Sequence, residues 1–309
     1  MEDALSNLLA QVRPHGALFE TSTLTPPWSL RFEERSPLTL LTMLSGSAWI
    51  TLDGAAPVPI GPRDVVLVVG ATPYTVSDQP GTEPGIVIHG SDVCTSPDGR
   101  PLADDLNMCR LGPDWEASAN LLKSTYQVRG NISDRVLSAL PPVVVVPAGP
   151  CPAMDMIVAE LGNDVPGQQV MLDRLLDLLL ICTLRAWLDR PDSCAPAWYR
   201  AHGDVVVGTA LKLIHDDPAH PWTVATLAAK AGASRAAFAR RFAELVGQTP
   251  MAYLTEWRLC AAADLLRDTD ATVESIARRV GYANAYALSV AFKRVYGVRP
   301  SEHRSELVT

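Results

Sequence analysis

The sequence predicts an α+β chain. A β-rich first part closes as a small barrel, a helical segment follows, and an all-α domain ends the chain. Three observations carry this. Short β-rich runs punctuated by Pro and Gly fill residues 24–90, the hydrophobic period lengthens to that of a helix after Pro152, and residues 224–250 recur in outline as residues 273–300. The chain has 309 residues, enough for two domains of ordinary size. Hydrophobic residues make up 48% of it, which suffices for packed cores rather than a disordered chain.

TLLTML and SAWITL are β-rich runs parted by Ser45-Gly46. Pro57, Pro59, Gly61, Pro62, Gly70, Pro73, Pro80 and Gly81 then punctuate the chain. Turns at that spacing belong to sandwiches and barrels. Residues 91–116 are polar and rich in turn formers, and read as an irregular loop. A further strand pair is expected at LLKSTYQV and Val143–Val146. After Pro152, AMDMIVAELG reads as a short helix and QQVMLDRLLDLLLICTLRAWLDR as a long one, stopped by Pro191. Met171, Leu175, Leu178 and Cys182 form a stripe at i, i+4, i+7 and i+11 of the long helix. That stripe serves either packing within its own domain or a dimer contact, and the sequence leaves both open. The expected domains are 1–150, 151–203 and 204–309.

No apolar run reaches the roughly 18 residues that span a bilayer. The opening MEDALSNLL has no basic start or long apolar region, so a cytoplasmic protein without membrane contact is expected. Six cysteines without a CxxC pair give no zinc spacing. No P-loop, GxGxxG or Ser-His-Asp arrangement points to catalysis. The net charge of −8 hides an asymmetry. Residues 218–309 carry 12 Lys and Arg against 8 Asp and Glu, a net of +4, which leaves −12 on the rest. A basic end on an acidic body suggests a polyanionic partner.

The repeat gives that end a shape. Val224, Ala228 and Gly232 return 49 residues later as Val273, Ala277 and Gly281. Phe242, Gly247 and Pro250 return 50 residues later as Phe292, Gly297 and Pro300. Each unit reads as helix, tight turn, helix. In the first, Gly232 takes the turn and Ser234 caps the second helix, whose Phe238, Phe242 and Leu245 face inward. Ala236, Ala239, Arg240 and Ala243 then face out, a stripe of small residues with one long cation that could approach the floor of a major groove. In the second, Thr272 caps, Gly281 turns, and Leu288, Phe292 and Val295 face inward. Tyr286, Ser289, Val290 and Lys293 face out, with Arg278, Arg279 and Arg294 available for phosphates. PMAYLTEWRLCAAADLLRDTD joins the units as a helix capped by Thr249. About 19 residues at 1.5 Å give roughly 28 Å, near the roughly 34 Å of one DNA turn.

From about Asp204 to Arg304 the chain resembles the AraC/XylS family of transcription regulators. WTVATLAAKAGASRAAFARRFAELVGQTPMAYLTEWRLCAAADLL and SIARRVGYANAYALSVAFKRVYGVRPSEHR carry the resemblance. It implies two helix-turn-helix units reading adjacent major-groove segments. The matching base-reading positions are Ala236, Ala239 and Arg240 in the first unit, and Ala285, Tyr286, Ser289 and Val290 in the second. Ser234, Arg235, Asn284 and Lys293 complete the expected DNA-binding set. Some relatives carry arginine where Val290 stands, so the second unit is expected to position or to meet thymine methyls more than to read bases by hydrogen bonds.

PWSLRF, LSGSAWITLDG, IGPRDVVLVVGATPYTV and ALPPVVVVP resemble the cupin-type sensor domain of one AraC-type subgroup. Tyr74 stands where a metal-binding cupin has histidine, and His15 and His89 are isolated, so no metal and no cofactor are expected. Trp28, Trp49 and Tyr74 are either effector-pocket walls or core residues. Cys94 and Cys109 flank the polar loop as a candidate redox pair. The resemblance names double-stranded DNA, an effector and RNA polymerase as partners, and a homodimer as the assembly. Two other classes compete: a cupin-type enzyme fused to a DNA-binding module, and a dimeric scaffold that has lost sequence-specific binding.

Overall fold

The computed structural model describes residues 20–90, 93–102, 119–126, 136–163, 165–190, 193 and 195–306. They fall into two compact units. One holds the described residues of 12–128 and 140–193, the other those from 194 onward together with 136–139.

The first unit is built on strands β1 (Glu20–Leu24), β2 (Ser29–Phe32), β3 (Leu38–Ser45), β4 (Ala48–Leu52), β5 (Val58–Ile60), β6 (Val65–Val69), β7 (Tyr74–Ser77), β8 (Ile86–Ile88), β9 (Cys94–Thr95), β10 (Ala119–Tyr126) and β11 (Val143–Val146). Among the described residues they make two sheets, β1-β10-β3-β6-β11 and β5-β4-β7-β2-β8-β9, rather than one closed cylinder. Alternation of apolar side chains explains the layering. Leu41, Met43, Val66 and Val68 of one sheet meet Leu30, Ile50 and Val76 of the other in a shared core. Pairing is antiparallel except for β2 beside β8.

The strands expected at LLKSTYQV and Val143–Val146 form but are not partners. β10 lies between β1 and β3, while β11 runs along β6 with Val143 opposite Val68 and Val146 opposite Val65. Period-2 alternation places a strand in a layer and leaves its neighbour to longer-range packing. The segment expected to be wholly irregular contains β9, paired with β8; residues 103–118 lie outside the described chain.

Among the described residues two helices complete this unit: α1 (Pro152–Leu161) and α2 (Gln168–Leu188). Tyr126 donates to the Leu176 carbonyl of α2 at 3.0 Å, and every residue of β3 is buried. The stripe expected on α2 divides. Leu175 is buried with Leu172, Leu176, Leu179, Leu180 and Leu184, whereas Met171 and Leu178 are exposed beside Val170. With leucine on most sides of the helix, the face that wins is the one offering the larger apolar area to the sheet and α1.

The second unit is helical: α3 (Ala197–Ala201), α4 (Val205–Asp216), α5 (Val224–Lys230), α6 (Arg235–Val246), α7 (Pro250–Asp268), α8 (Val273–Arg279), α9 (Ala285–Tyr296) and α10 (Pro300–Glu306). Six consecutive helices, α4 to α9, start on Asp204, Thr223, Ser234, Thr249, Thr272 and Asn284, each side chain accepting a backbone N–H of its first turn. α7 supplies core to both repeats. Its first half offers Tyr253, 5.9 Å from Phe242, and Trp257, stacked at 4.0 Å on His215. Its second half offers Leu259, Ala262, Ala263 and Leu266 to Ile276, Leu288 and Phe292. Arg304 of α10 closes the far end, donating to the carbonyls of Leu266 (3.1 Å) and Ala271 (2.6 Å).

Candidate nucleic-acid interface

The first repeat orients α6 by its buried side. Phe238, Phe242 and Val246 are buried, and the turn before the helix uses Gly232 at φ 70°. Leu245, expected inside, is 39% exposed; Val246 takes the inner place one residue later. The face expected to turn outward does so in part. Ala236 and Arg240 are exposed, and Ala239 and Ala243 half-buried. Ser234 is engaged as the cap, accepting from Ala237 N at 3.3 Å. The Arg240 guanidinium rests 3.7 Å from Glu244, both exposed. Such a pair is worth little in water, so an approaching base edge or phosphate can displace it.

Arg241, next in sequence, has a different task. Its Nε donates to Asp204 at 2.8 Å, and Asp204 also accepts from Val206 and Val207 at the start of α4. The Arg241 guanidinium, with the two N–H groups, holds the Asp204 carboxyl below the usual carboxylate range. α6 is thereby fastened to α4. The hydrophobic pattern gave no sign of this clamp, which links residues 37 apart.

The second repeat presents α9 on buried Leu288 and Phe292. Val295, expected inside, is 51% exposed, and Tyr296 packs against Phe292 at 4.4 Å instead. Tyr286 and Val290 are 79% and 55% exposed, large apolar surface with no covering side chain from the unit. Ser289 Oγ donates to Ala285 O at 2.7 Å, leaving its lone pairs to accept. Asn284 accepts from Ala287 N at 2.9 Å as the cap, Ala285 is half-buried, and Lys293 is exposed. Arg278 is paired with Glu274 at 2.9 Å, and Arg279 and Arg294 are exposed.

Glu274, which the sequence did not single out, also accepts from Ala285 N at 2.8 Å, pinning the start of α9 to α8. That backbone bond and Arg278 hold its carboxyl below the usual range. The first repeat has Ala225 at the matching position and uses a Thr223–Thr226 capping box at the start of α5. One signal existed: a single carboxylate four residues before an Arg-Arg pair in only one copy of a duplication.

In the strand unit, Trp28 and Tyr74 lie in the core between the sheets, with Tyr74 stacked on Phe32 at 4.8 Å; Trp49 is half-buried. Cys94 is half-buried in β9, while Cys109 lies outside the described residues. His89 is exposed, 2.9 Å from Thr95 Oγ1. A cavity of about 180 Å³ opens elsewhere, lined by residues in and beside β6, β11, α1 and α2, among them Arg63, Val65, Val146, Cys151, Leu179 and Cys182. None of Trp28, Trp49 and Tyr74 lines it.

Comparison with known proteins places both parts. The cupin family profile matches residues 3–189, and the helix-turn-helix domain profile matches residues 227–306. A putative AraC-like transcription regulator of Streptomyces lividans is 32% identical over 309 residues, covering 98% of this chain and 98% of that one. The HTH-type transcriptional regulator AlkR of Acinetobacter baylyi is 27% identical over 315, covering 98% and 99%. Among solved structures, the DNA-binding domain of AdpA in complex with a target DNA is 32% identical, covering 34% of this chain and 93% of its own, with a TM-score of 0.32.

Proposed function

Because the chain belongs to the AraC family of transcription regulators, with its cupin and helix-turn-helix parts, we propose that it reads DNA by inserting α6 and α9 into successive major-groove segments. The observation that carries this is the pair of outward faces. Ala236 and Ala239 let α6 approach closely, Arg240 supplies the long donor, and Tyr286, Ser289 and Val290 present an apolar and accepting face on α9. Helix α7, core to both repeats, is the spacer, at roughly 28 Å for 19 residues. Ser234, Arg235, Asn284 and Lys293, with Arg279 and Arg294, line the edges where phosphates would run.

The same reading takes residues 1–150 as the sensor, 151–203 as the dimerisation and linking segment, and 204–309 as the DNA-binding part. A small-molecule or redox signal reaches the strand unit, and a homodimer forms through the exposed Val170, Met171 and Leu178 of α2. RNA polymerase is the further partner at the promoter, and the role is regulatory rather than catalytic. Among the described residues no helix is long and apolar enough to cross a membrane, and the cytoplasm, where operator DNA lies, is the proposed site of action.

Selection of bound duplexes from a random pool tests the reading. The expected outcome is one recurring motif, bound in the presence of excess nonspecific DNA, with log K falling linearly against log salt. Recovery of no motif would leave a scaffold without sequence-specific binding as the better description.

A further inference from the structure

Helix α1 begins at Cys151, whose residue is the N-cap yet whose side chain makes no capping hydrogen bond. The thiol is therefore not used to hold the helix. Cys182 stands on α2, close enough to Cys151 for the two thiols to interact. Both cysteines are half-buried, and both line the cavity of about 180 Å³. The walls around them are largely apolar: Val65, Val146, Met154 and Leu179.

The rim is unusual. Arg63 also lines the cavity, and it is the one non-glycine residue with left-handed φ among the described residues, at 65°. Asp64 fixes that turn by accepting from Gly61 N at 2.8 Å and Ala148 N at 2.7 Å, and Arg63 is ion-paired with Asp155 in the first turn of α1. A non-glycine residue held in that region is strained, and strain of this kind collects at functional sites. Here it places Arg63, paired with Asp155, in the lining of the chamber that both thiols share.

We propose that Cys151 and Cys182 are a peroxide-reactive pair, oxidised by a small organic hydroperoxide that enters this cavity, and that their disulfide is the signal the strand unit receives. The inference rests on the proposed function, since it takes that unit as the sensor. The Cys151 sulfur attacks the terminal peroxide oxygen. The O–O bond breaks, the alcohol leaves with the thiol proton, and Cys151 becomes a sulfenic acid. The Cys182 sulfur then displaces hydroxide from it, the proton going to that hydroxide as water. The sum is two thiols and one hydroperoxide giving one disulfide, one alcohol and one water, so the peroxide is the only oxidant required. Burial pushes the Cys182 thiol up from its ordinary value and lowers its thiolate fraction, which argues against Cys182 as the first attacker. The apolar walls select an alkyl hydroperoxide over a hydrated ion. The bond would tie the start of α1, just after β11, to the leucine-rich α2.

The test uses the full reduced chain and tert-butyl hydroperoxide at a few molar equivalents. Peptide mapping without reductant is expected to show one linked peptide pair, Cys151 to Cys182. Cys182→Ser is expected to stop at a Cys151 sulfenic acid trapped by dimedone, and Cys151→Ser to react at least tenfold more slowly. In parallel, fluorescence anisotropy follows a duplex selected by the reduced protein. Oxidation is expected to change its Kd at least threefold in the wild type and not in Cys151→Ser. Mapping that finds both thiols still alkylatable, or linked to other cysteines, overturns the proposal without any variant having to fold. A Cys151–Cys182 disulfide that leaves DNA affinity unchanged overturns it as a signal. Failure of the reduced protein to select any duplex would instead strike the DNA-binding reading and leave the thiol chemistry standing.

Discussion

Arg240 and Arg241 are neighbours of one type with different tasks, and only packing separates them. Arg240 points to solvent beside Glu244, whereas Arg241 is spent on Asp204. Arg240→Ala is therefore expected to weaken the selected site by about 1–3 kcal/mol and relax preference at one base pair. Lys293→Ala should weaken all sequences alike and lower the salt slope by about 1. Anisotropy on a panel of single-base variants separates the two, and an unchanged motif for Arg240→Ala would mean that α6 is seated in another register. Asp204 tests the clamp. Its carboxyl titrates below the ordinary value when folded and near about 3.9 when unfolded. Its contribution is thus complete above that ordinary value and is lost as pH falls through the folded one. Asp204→Asn keeps an acceptor for Val206 and Val207 and should flatten acid unfolding below about pH 4. Asp204→Ala, which also loses the cap, should cost about 1–2 kcal/mol at pH 7 in denaturant melts.

At the level of elements, the turns of the two repeats look alike in sequence and differ in how tightly they are enclosed. Gly232 and Gly281 both have positive φ, but a Cβ at Gly232 would meet nothing within 4 Å. At Gly281 it would fall 2.7 Å from Arg258 Nη2 and 2.9 Å from Ala219 Cα. Gly232→Ala should cost about 1–2 kcal/mol for the left-handed backbone alone. Gly281→Ala should cost more, because Arg258 is fastened to the carbonyls of Pro218 (2.7 Å) and His220 (2.8 Å) and has little room to yield. Equal melting losses for the two variants would show that this enclosure gives way freely. A second pair of variants separates core from interface on α2. Leu175→Arg places a charge in a buried position and should unfold its unit, while Leu178→Arg, on the exposed side, should leave a folded monomer by sedimentation. A dimer that survives Leu178→Arg would remove that face from the interface.

These contrasts mark what could be read from sequence. The six helix caps were open to local reading, since a hydroxyl or Asx side chain ahead of a helix is its own signal. The duplication located both turns. Leu245 and Val295 misled because each lies two residues before the C-terminal glycine of its helix, where a one-residue drift in phase exchanges inside for outside. Strand partners, the Glu274 and Arg241 clamps and the approach of Cys151 to Cys182 join residues from 11 to 103 apart, and no local pattern encodes them.

The whole molecule carries a long-range imbalance. Residues 218–309 hold a net +4 and the rest −12. DNA is a dense line of negative charge, so the helical unit is drawn to it and the remainder repelled, wherever in the complex the remainder stands. The repulsion reaches only as far as salt allows, about 10 Å at 0.1 M and about 30 Å at 0.01 M. A fragment of residues 195–309 keeps α3 to α10, with their shared core on α7. On a duplex with a single selected half-site, where a dimer has no second site to engage, the fragment should bind more tightly than the reduced full chain at low salt. The difference should shrink as salt rises past about 0.15 M, because short-range contacts of α6 and α9 are common to both. The fragment's salt slope should be the steeper of the two, since both neutralise the same phosphates while rising salt relieves a repulsion that only the full chain carries. Titrations of both proteins at four or five salt concentrations decide the matter. If the fragment binds more weakly at every salt concentration, the first unit assists binding directly, and the acidic body is a structural contributor to the DNA complex rather than an electrostatic tax on it.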